Sequence, residues 1–202
     1  MFLENQYTFE PYEKKFSFDE NNKTVTKFKD VVFDLSSVAK GYAVDAISDY
    51  LLANNFNNYL IDIGGEIAAN GFSKSGFWTI GIQDPQSLQQ NVSFTVPNSN
   101  KFIGVATSGD YLNFKYVDGK IISHSIDPRI IKSKDNNVLS VTVLDDSSVG
   151  RADAFATAFN VMSLDESIKL SESLDLKIKI IYLSDGFIKF FESKSWQNIN
   201  YE

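Results

Sequence analysis

The segment GRADAFATAFNVM, residues 150–162, carries the best local signal for chemistry. Read as a helix, it sets Asp153 and Thr157 four residues apart, so a carboxylate and a hydroxyl project from one face near the helix N-terminus. Both are hard oxygen donors. They suit Mg²⁺, which takes one or two protein ligands and completes an octahedron with water and phosphate oxygens. The small neighbours Ala152, Ala154 and Ala156 would let a ligand approach closely. The same residues also fit an amphipathic core helix with Phe155, Phe159 and Met162 inward, and taken alone the segment favours that plainer reading.

A second signal is DLSSVAKGYAVD, residues 34–45, where a strand end runs through Ser36 and Ser37 into a helix. A helix N-terminus offers unpaired N–H groups and partial positive charge, and Lys40 adds a full charge in the first turn, which together make a phosphate seat. The segment lacks the glycine spacing of a P-loop, and either serine also reads as an ordinary N-cap. The third is SHSIDPR, residues 123–129, with the chain's one histidine, His124, at a strand end where an acid or base could act. Asp127-Pro128-Arg129 is equally explained as a turn with an exposed charge. Gly64-Gly65 and Ala106–Asp110 could be phosphate-facing loops, though bends between strands account for them as well.

Composition narrows the partners. The net charge is −7, the pI near 4.8, and Lys and Arg are not clustered, which argues against a nucleic-acid or anionic-membrane partner. An anionic ligand would therefore need a metal, a placed lysine or backbone N–H groups beside it. Without cysteine there is no disulfide, thiolate metal site or cysteine nucleophile. No apolar run approaches the roughly 18 residues of a membrane span. The N-terminus has early acidic residues and no apolar core, so it does not read as a secretory leader; the chain as written would be cytoplasmic, and the compartment stays open.

The elements that must position these residues follow from periodicity. Across 202 residues, 43% apolar with 17 Phe, one compact domain spanning 1–202 is the simplest expectation. Alternation at Lys15–Asp19 and Thr24–Lys29 around DENN predicts a hairpin. Helical periodicity predicts a helix over Ser36–Asn54, with Val38, Tyr42, Ile47, Leu51 and Leu52 on its inner side. Asn58–Ala69 reads as a buried strand interrupted at Gly64-Gly65, and Phe77–Asp84, Val92–Val96, Lys101–Ala106, Asn113–Val117 and Lys120–Ser123 read as further strands. Asp118-Gly119 is the strongest hairpin turn. After a polar loop at Lys132–Asn137 come a strand at Val138–Leu144, helices at Ala152–Met162 and Leu164–Leu174, and strands at Lys177–Leu183 and Phe187–Phe191. Strands mixed with segregated helices predict an α+β fold with a mostly antiparallel sheet and helices packed on it.

In chain order, DLSSVAKGYAVD, LIDIGGEIAANG, WTIGIQDP, ATSGDY, SHSIDPR, SVTVL and ADAFATAFNVM resemble the ApbE family of flavin transferases. The resemblance implies a tunnelling-fold-like α+β core that binds FAD and Mg²⁺. It also implies transfer of FMN to a Thr or Ser of an acceptor protein, with release of AMP. By the same resemblance Asp153 and Thr157 match the family's metal-binding Asp and Thr, and Ser37 the position whose backbone carbonyl completes the metal site. Asp34 and Lys40 match positions lining the flavin dinucleotide, His124 the histidine that assists transfer, and Ile126 lies in the loop that packs on the cofactor. Family members are often periplasmic. They usually carry a longer N-terminal region with contacts to the flavin ring and adenine, whereas 33 residues precede Asp34 here. The expectation is thus a shortened relative of the C-terminal portion, with a second chain as one source of the rest. Ser36-Ser37 replaces a Gly-rich pair and Arg129-Ile130-Ile131 an Arg-Thr-Gly turn. Two other readings stand beside transfer: an FAD pyrophosphatase, with water as acceptor, and a non-catalytic relative that binds flavin, nucleotide or a partner chain.

Overall fold

A computed structural model of the chain describes residues 14–83, 92–97, 101–109, 114–117, 120–123, 126, 127, 129, 132, 133 and 137–199. Strands β1 (Phe16–Asp19) and β2 (Thr24–Lys27) pair as the expected hairpin, turned where the Asp19 carboxylate accepts the N–H groups of Asn21 and Asn22. Helix α1 covers Ala39–Ala53. It leads into β3 (Tyr59–Ile63) and β4 (Glu66–Asn70), which pair antiparallel. Asn58–Ala69 is therefore two strands rather than one interrupted strand. Gly64 and Gly65 take φ of +61° and +99°, the left-handed pair that reverses a tight hairpin, and the Asp62 carboxylate accepts the Gly65 N–H.

Two small hairpins follow, β5 (Phe72–Ser73) with β6 (Gly76–Phe77) and β7 (Thr79–Gln83) with β8 (Val92–Pro97). Strand β9 (Ile103–Gly109) is longer than expected. It takes in Ala106–Gly109, which are laddered to β14 (Val138–Asp145) and so form no loop; Asp110 lies outside the described residues. Strands β10 (Phe114–Val117) and β11 (Lys120–Ser123) pair around Asp118-Gly119, which also lie outside them. Part of the expected loop at Lys132–Asn137 is strand β13 (Lys132–Ser133), paired with β12 (Ile126–Asp127). Helices α2 (Val149–Val161) and α3 (Leu164–Ser173), strands β15 (Lys177–Ser184) and β16 (Phe187–Glu192), and the short helix α4 (Lys194–Gln197) complete the chain.

The main sheet runs β16-β15-β14-β9-β4-β3, and every neighbouring pair is antiparallel. The α+β expectation holds. Val141, Val143, Ile178 and Ile180 form a core with Ala152, Ala156 and Phe159 of α2. The next residue along β14, Leu144, joins Ala69, Val105, Ile80, Ile82 and Trp196 in a second core. Successive side chains leave opposite faces of a strand, so both faces of β14 are covered, and seven of its eight residues are buried, the polar Ser140 and Thr142 among them. Among the described residues no helix is long and apolar enough to cross a membrane.

Helix α1 departs from its expected orientation. Its buried residues are Gly41, Val44 and Ser48, whereas Tyr42, Ile47 and Leu52 are exposed. Of the larger apolar side chains expected inside, Leu51 packs against the core of Val44, Tyr59, Ala68 and Val149, while close packing puts small residues at the centre of the face. A Cβ on Gly41 would lie 2.6 Å from both the Gly150 Cα and the Val149 oxygen, so α1 meets α2 backbone to backbone at that point. The Ser48 hydroxyl, on the same face, shares a hydrogen bond of 2.5 Å with the buried Tyr59 hydroxyl.

Candidate active site

The close crossing of α1 and α2 brings two distant motifs together. Gly41 is the third residue of α1, so its N–H is one of the donors that a first helical turn leaves without an intrahelical acceptor. It donates to Oδ2 of Asp153 at 3.1 Å. The N-cap residue is Val38, and no side chain of its own caps the helix, so the serine N-cap reading is corrected. A carboxylate from α2 takes the donor that a cap serine would take, and an ionised acceptor makes the stronger bond. Ser37 precedes the cap residue, which leaves its carbonyl outside the helical ladder.

The reverse contact exists too. Asp45, on α1, accepts the Ser148 hydroxyl at 2.7 Å, the Val149 N–H at 2.7 Å and the Gly150 N–H at 2.9 Å, all at the start of α2. The Ser148 oxygen in turn accepts the Arg151 N–H. In the sequence Asp45 is only the last residue of DLSSVAKGYAVD, with no sign of this partner. A carboxylate in the middle of a helix, on the side next to its glycine, is the one local hint of this role.

Asp153 is only 4% exposed and does not face solvent. Ala152 and Ala156 pack into the core, so of the three small neighbours only Ala154 lies outside it. Burial pushes the Asp153 carboxyl above its usual range, while the Gly41 N–H and the charge of Lys40 oppose the shift. Among the described residues Gly41 is its sole hydrogen-bond donor. Thr157 follows one turn later on α2 and is half-buried.

Lys40, next to Gly41, pairs with Glu66 at 2.5 Å. Glu66 is 2% exposed, and no hydrogen bond of regular geometry reaches its Oε2, so the ammonium is its compensation among the described residues. Burial raises the Glu66 carboxyl, Lys40 opposes this, and the nearby charge of Asp153 adds to the rise. The sequence reading missed Glu66. Its signal was a single charge opening the apolar run EIAA directly after Gly64-Gly65. Asp34 is exposed and turns back on its own chain. The Ser36 hydroxyl and N–H hold its carboxyl below the usual range, the N–H at 2.9 Å.

The structure thus brings Lys40, Asp153 and Glu66 together at the start of α1, with Ser37 one residue before the cap position and Thr157 one turn along α2 from Asp153. His124 lies outside the described residues. Ile126 is in the two-residue strand β12, paired with Ser133, rather than in a loop. The strand is fastened by Arg129, whose guanidinium grips the buried Asp127 at 2.7 Å and Glu166 of α3 at 3.0 Å. The expected turn with an exposed charge is present, since the Asp127 carboxylate accepts the Arg129 N–H at 2.9 Å and Arg129 is exposed, and the same charge also clamps β12 to α3.

A buried carboxylate with one hydrogen-bond donor among the described residues, a hydroxyl one turn along the same helix and a carbonyl outside the ladder just before α1 are oxygen donors of the kind a hard divalent cation takes. Among the described residues no three His, Asp or Glu side chains gather as a larger metal cluster.

This antiparallel α+β scaffold is that of solved flavin transferases. The chain is similar to the flavin transferase ApbE from Vibrio cholerae, with TM-score 0.75, 32% identity, and coverage of 93% of this chain and 58% of that one. It is also similar to the apo flavinyl transferase ApbE of Pseudomonas stutzeri, with TM-score 0.76, 28% identity, and coverage of 93% and 56%. The chain belongs to the ApbE family, whose family model matches residues 7–182. A relative from Vibrio cholerae serotype O1 bearing the name FAD:protein FMN transferase is 35% identical over 179 residues, covering 88% of this chain and 53% of the relative. One of the same name from Escherichia coli K12 is 31% identical, covering 84% and 48%. The chain spans about half the length of the curated relatives it matches.

Proposed function

We propose that this chain holds the pyrophosphate seat of an FAD:protein FMN transferase. The observation that carries this reading is Asp153: a buried carboxylate that fixes the N-terminus of α1 yet accepts one hydrogen bond among the described residues, beside the cationic Lys40. Asp153, Thr157 and the Ser37 carbonyl would hold Mg²⁺. When bound, that ion neutralises phosphate charge and polarises the phosphorus being attacked. Lys40 and the α1 N-terminus would orient the pyrophosphate, with Asp34 and Ile126 lining the rest of the dinucleotide.

His124 would take the proton from a Thr or Ser hydroxyl of the acceptor protein. The freed oxygen bonds to the phosphorus of the FMN half, the bridging P–O bond breaks, and AMP leaves with the electron pair. Loss of such a base costs roughly 10²–10⁴ in rate. His124→Ala is therefore expected to spare FAD binding and to suppress FMN incorporation into a Thr-containing or Ser-containing acceptor, read by mass spectrometry. Equal incorporation by both proteins removes His124 from the reaction.

The decisive experiment incubates the protein with FAD and Mg²⁺, with and without acceptor, and separates FAD, FMN and AMP. AMP together with flavinylated acceptor supports transfer. Free FMN and AMP without acceptor mark a pyrophosphatase. Unchanged FAD in both arms marks a binding relative.

A further inference from the structure

Glu66 has no place in the reaction just described, yet it is the more deeply buried partner of the seat's lysine. It sits at the first position of β4, opposite Ile63 across the Gly64-Gly65 turn, so its backbone is fixed by the main sheet. The stem of Lys40 lies over the same turn, its Cδ 3.8 Å from where a Cβ on Gly64 would be. The ammonium is therefore held between a rigid strand and the start of α1. Lys40 is also the cation whose charge acts on Asp153. Two carboxylates thus face one ammonium, and with all three groups ionised they sum to one negative charge. An approaching phosphate meets a lysine already neutralised, beside a second carboxylate. A divalent cation on Asp153 reverses that sign.

We propose that Glu66 makes anion binding at this seat conditional on a divalent cation, by occupying Lys40, the lysine that among the described residues could otherwise bind phosphate there alone. The inference rests on the pyrophosphate-seat reading. It assigns Glu66 a positioning role through Lys40 and no contact with the reacting atoms. Cation and anion are then coupled ligands, and the coupling is reciprocal: Mg²⁺ strengthens anion binding by the same factor as the anion strengthens Mg²⁺ binding.

The test is calorimetric titration of the whole chain with ADP, in Mg²⁺ and in EDTA. The wild-type chain is expected to bind ADP in Mg²⁺ and at least a hundredfold more weakly in EDTA. Glu66→Gln frees Lys40, so ADP affinity in EDTA should rise and the Mg²⁺/EDTA ratio should fall by about tenfold. A purely structural Glu66 would give only losses, so gained metal-free binding is diagnostic. Glu66→Asp keeps the charge and should keep the ratio. An unchanged ratio in a folded Glu66→Gln variant overturns the inference and leaves the seat intact. If Glu66→Gln does not fold, Lys40→Met decides: a lysine already occupied by Glu66 contributes little to metal-free binding, so ADP affinity in EDTA should stay near wild type while affinity in Mg²⁺ falls, and an equal loss in both overturns the inference. Failure of the wild-type chain to bind ADP or FAD in Mg²⁺ overturns the seat itself, and the inference with it.

Discussion

Asp45 of α1 and Asp153 of α2 cap each other's helices: Asp45 takes the Val149 and Gly150 N–H groups at the start of α2, and Asp153 takes the Gly41 N–H in the first turn of α1. Each carboxylate lies near the positive end of the other helix dipole, and each holds donors that would otherwise be orphaned. The exchange fixes the two motifs of the candidate site against one another. It also leaves the two residues unequal, because among the described residues Asp45 accepts three hydrogen bonds and Asp153 one.

That inequality separates their mutants. Asp45→Ala should destabilise the protein by roughly 1–3 kcal/mol, as a lost N-cap and stranded donors do. Urea unfolding should show a lower midpoint with an unchanged slope. While the variant is folded, Mg²⁺-dependent FAD affinity should fall less than about tenfold, since Asp45 is spent on protein donors. Wild-type stability would show that water replaces the cap without loss.

Asp153 combines both roles, so alanine is a poor probe of it. Removing a 4%-exposed carboxylate that accepts the Gly41 N–H should cost stability as well as binding. Asp153→Asn keeps the acceptor oxygen and removes the charge. It is expected to leave the urea midpoint near wild type and to abolish Mg²⁺-dependent FAD binding in a fluorescence titration. Thr157→Val should weaken the same binding less, because it removes a neutral ligand of similar shape. Full Mg²⁺-dependent affinity in Asp153→Asn would sink the metal-seat assignment.

Gly41→Ala tests the helix crossing. Its Cβ would meet backbone atoms of Val149 and Gly150 at 2.6 Å, where no side chain can swing away. The helices must separate, at a cost of roughly 1–3 kcal/mol. The Gly41–Asp153 bond should be strained by the same shift, so stability and FAD affinity should fall together. A variant with normal values of both would mean that the crossing is looser than described.

Acid should open the clamp at Arg129. The guanidinium holds the Asp127 carboxyl below its ordinary value of 3.8, and the Ser163 N–H, the Ser163 hydroxyl and Arg129 hold Glu166 below 4.5. Lowered carboxyl pKa values mean stability that is fully present above those ordinary values and is lost as pH falls through the folded ones. Arg129→Met should therefore be less stable than wild type above pH 4.5, and the two unfolding curves should converge in stronger acid. A gap independent of pH would assign the loss to packing.

What the sequence determined by itself was mostly local. The alternation of β14 to β16 and the Ala-rich pattern of α2 specify elements whose period is written in consecutive residues. The four-residue spacing of Asp153 and Thr157 puts them on one helix face wherever that helix packs. The order of seven short motifs pointed to the family. The short α4 escaped notice because four residues cannot display a period, although its Trp196 is 1% exposed in the core. Tertiary structure decided the rest. Gly41 and Asp153 are 112 residues apart and Ser148 and Asp45 are 103 apart, so no local window contains either bond. The inner face of α1 follows from the same fact: its small residues are inside because another backbone has to fit there, and the chain that supplies that backbone lies beyond the reach of periodicity. The burial of Glu66 was decided in the same way, by where the β3–β4 hairpin meets α1, and with it the pairing of Lys40.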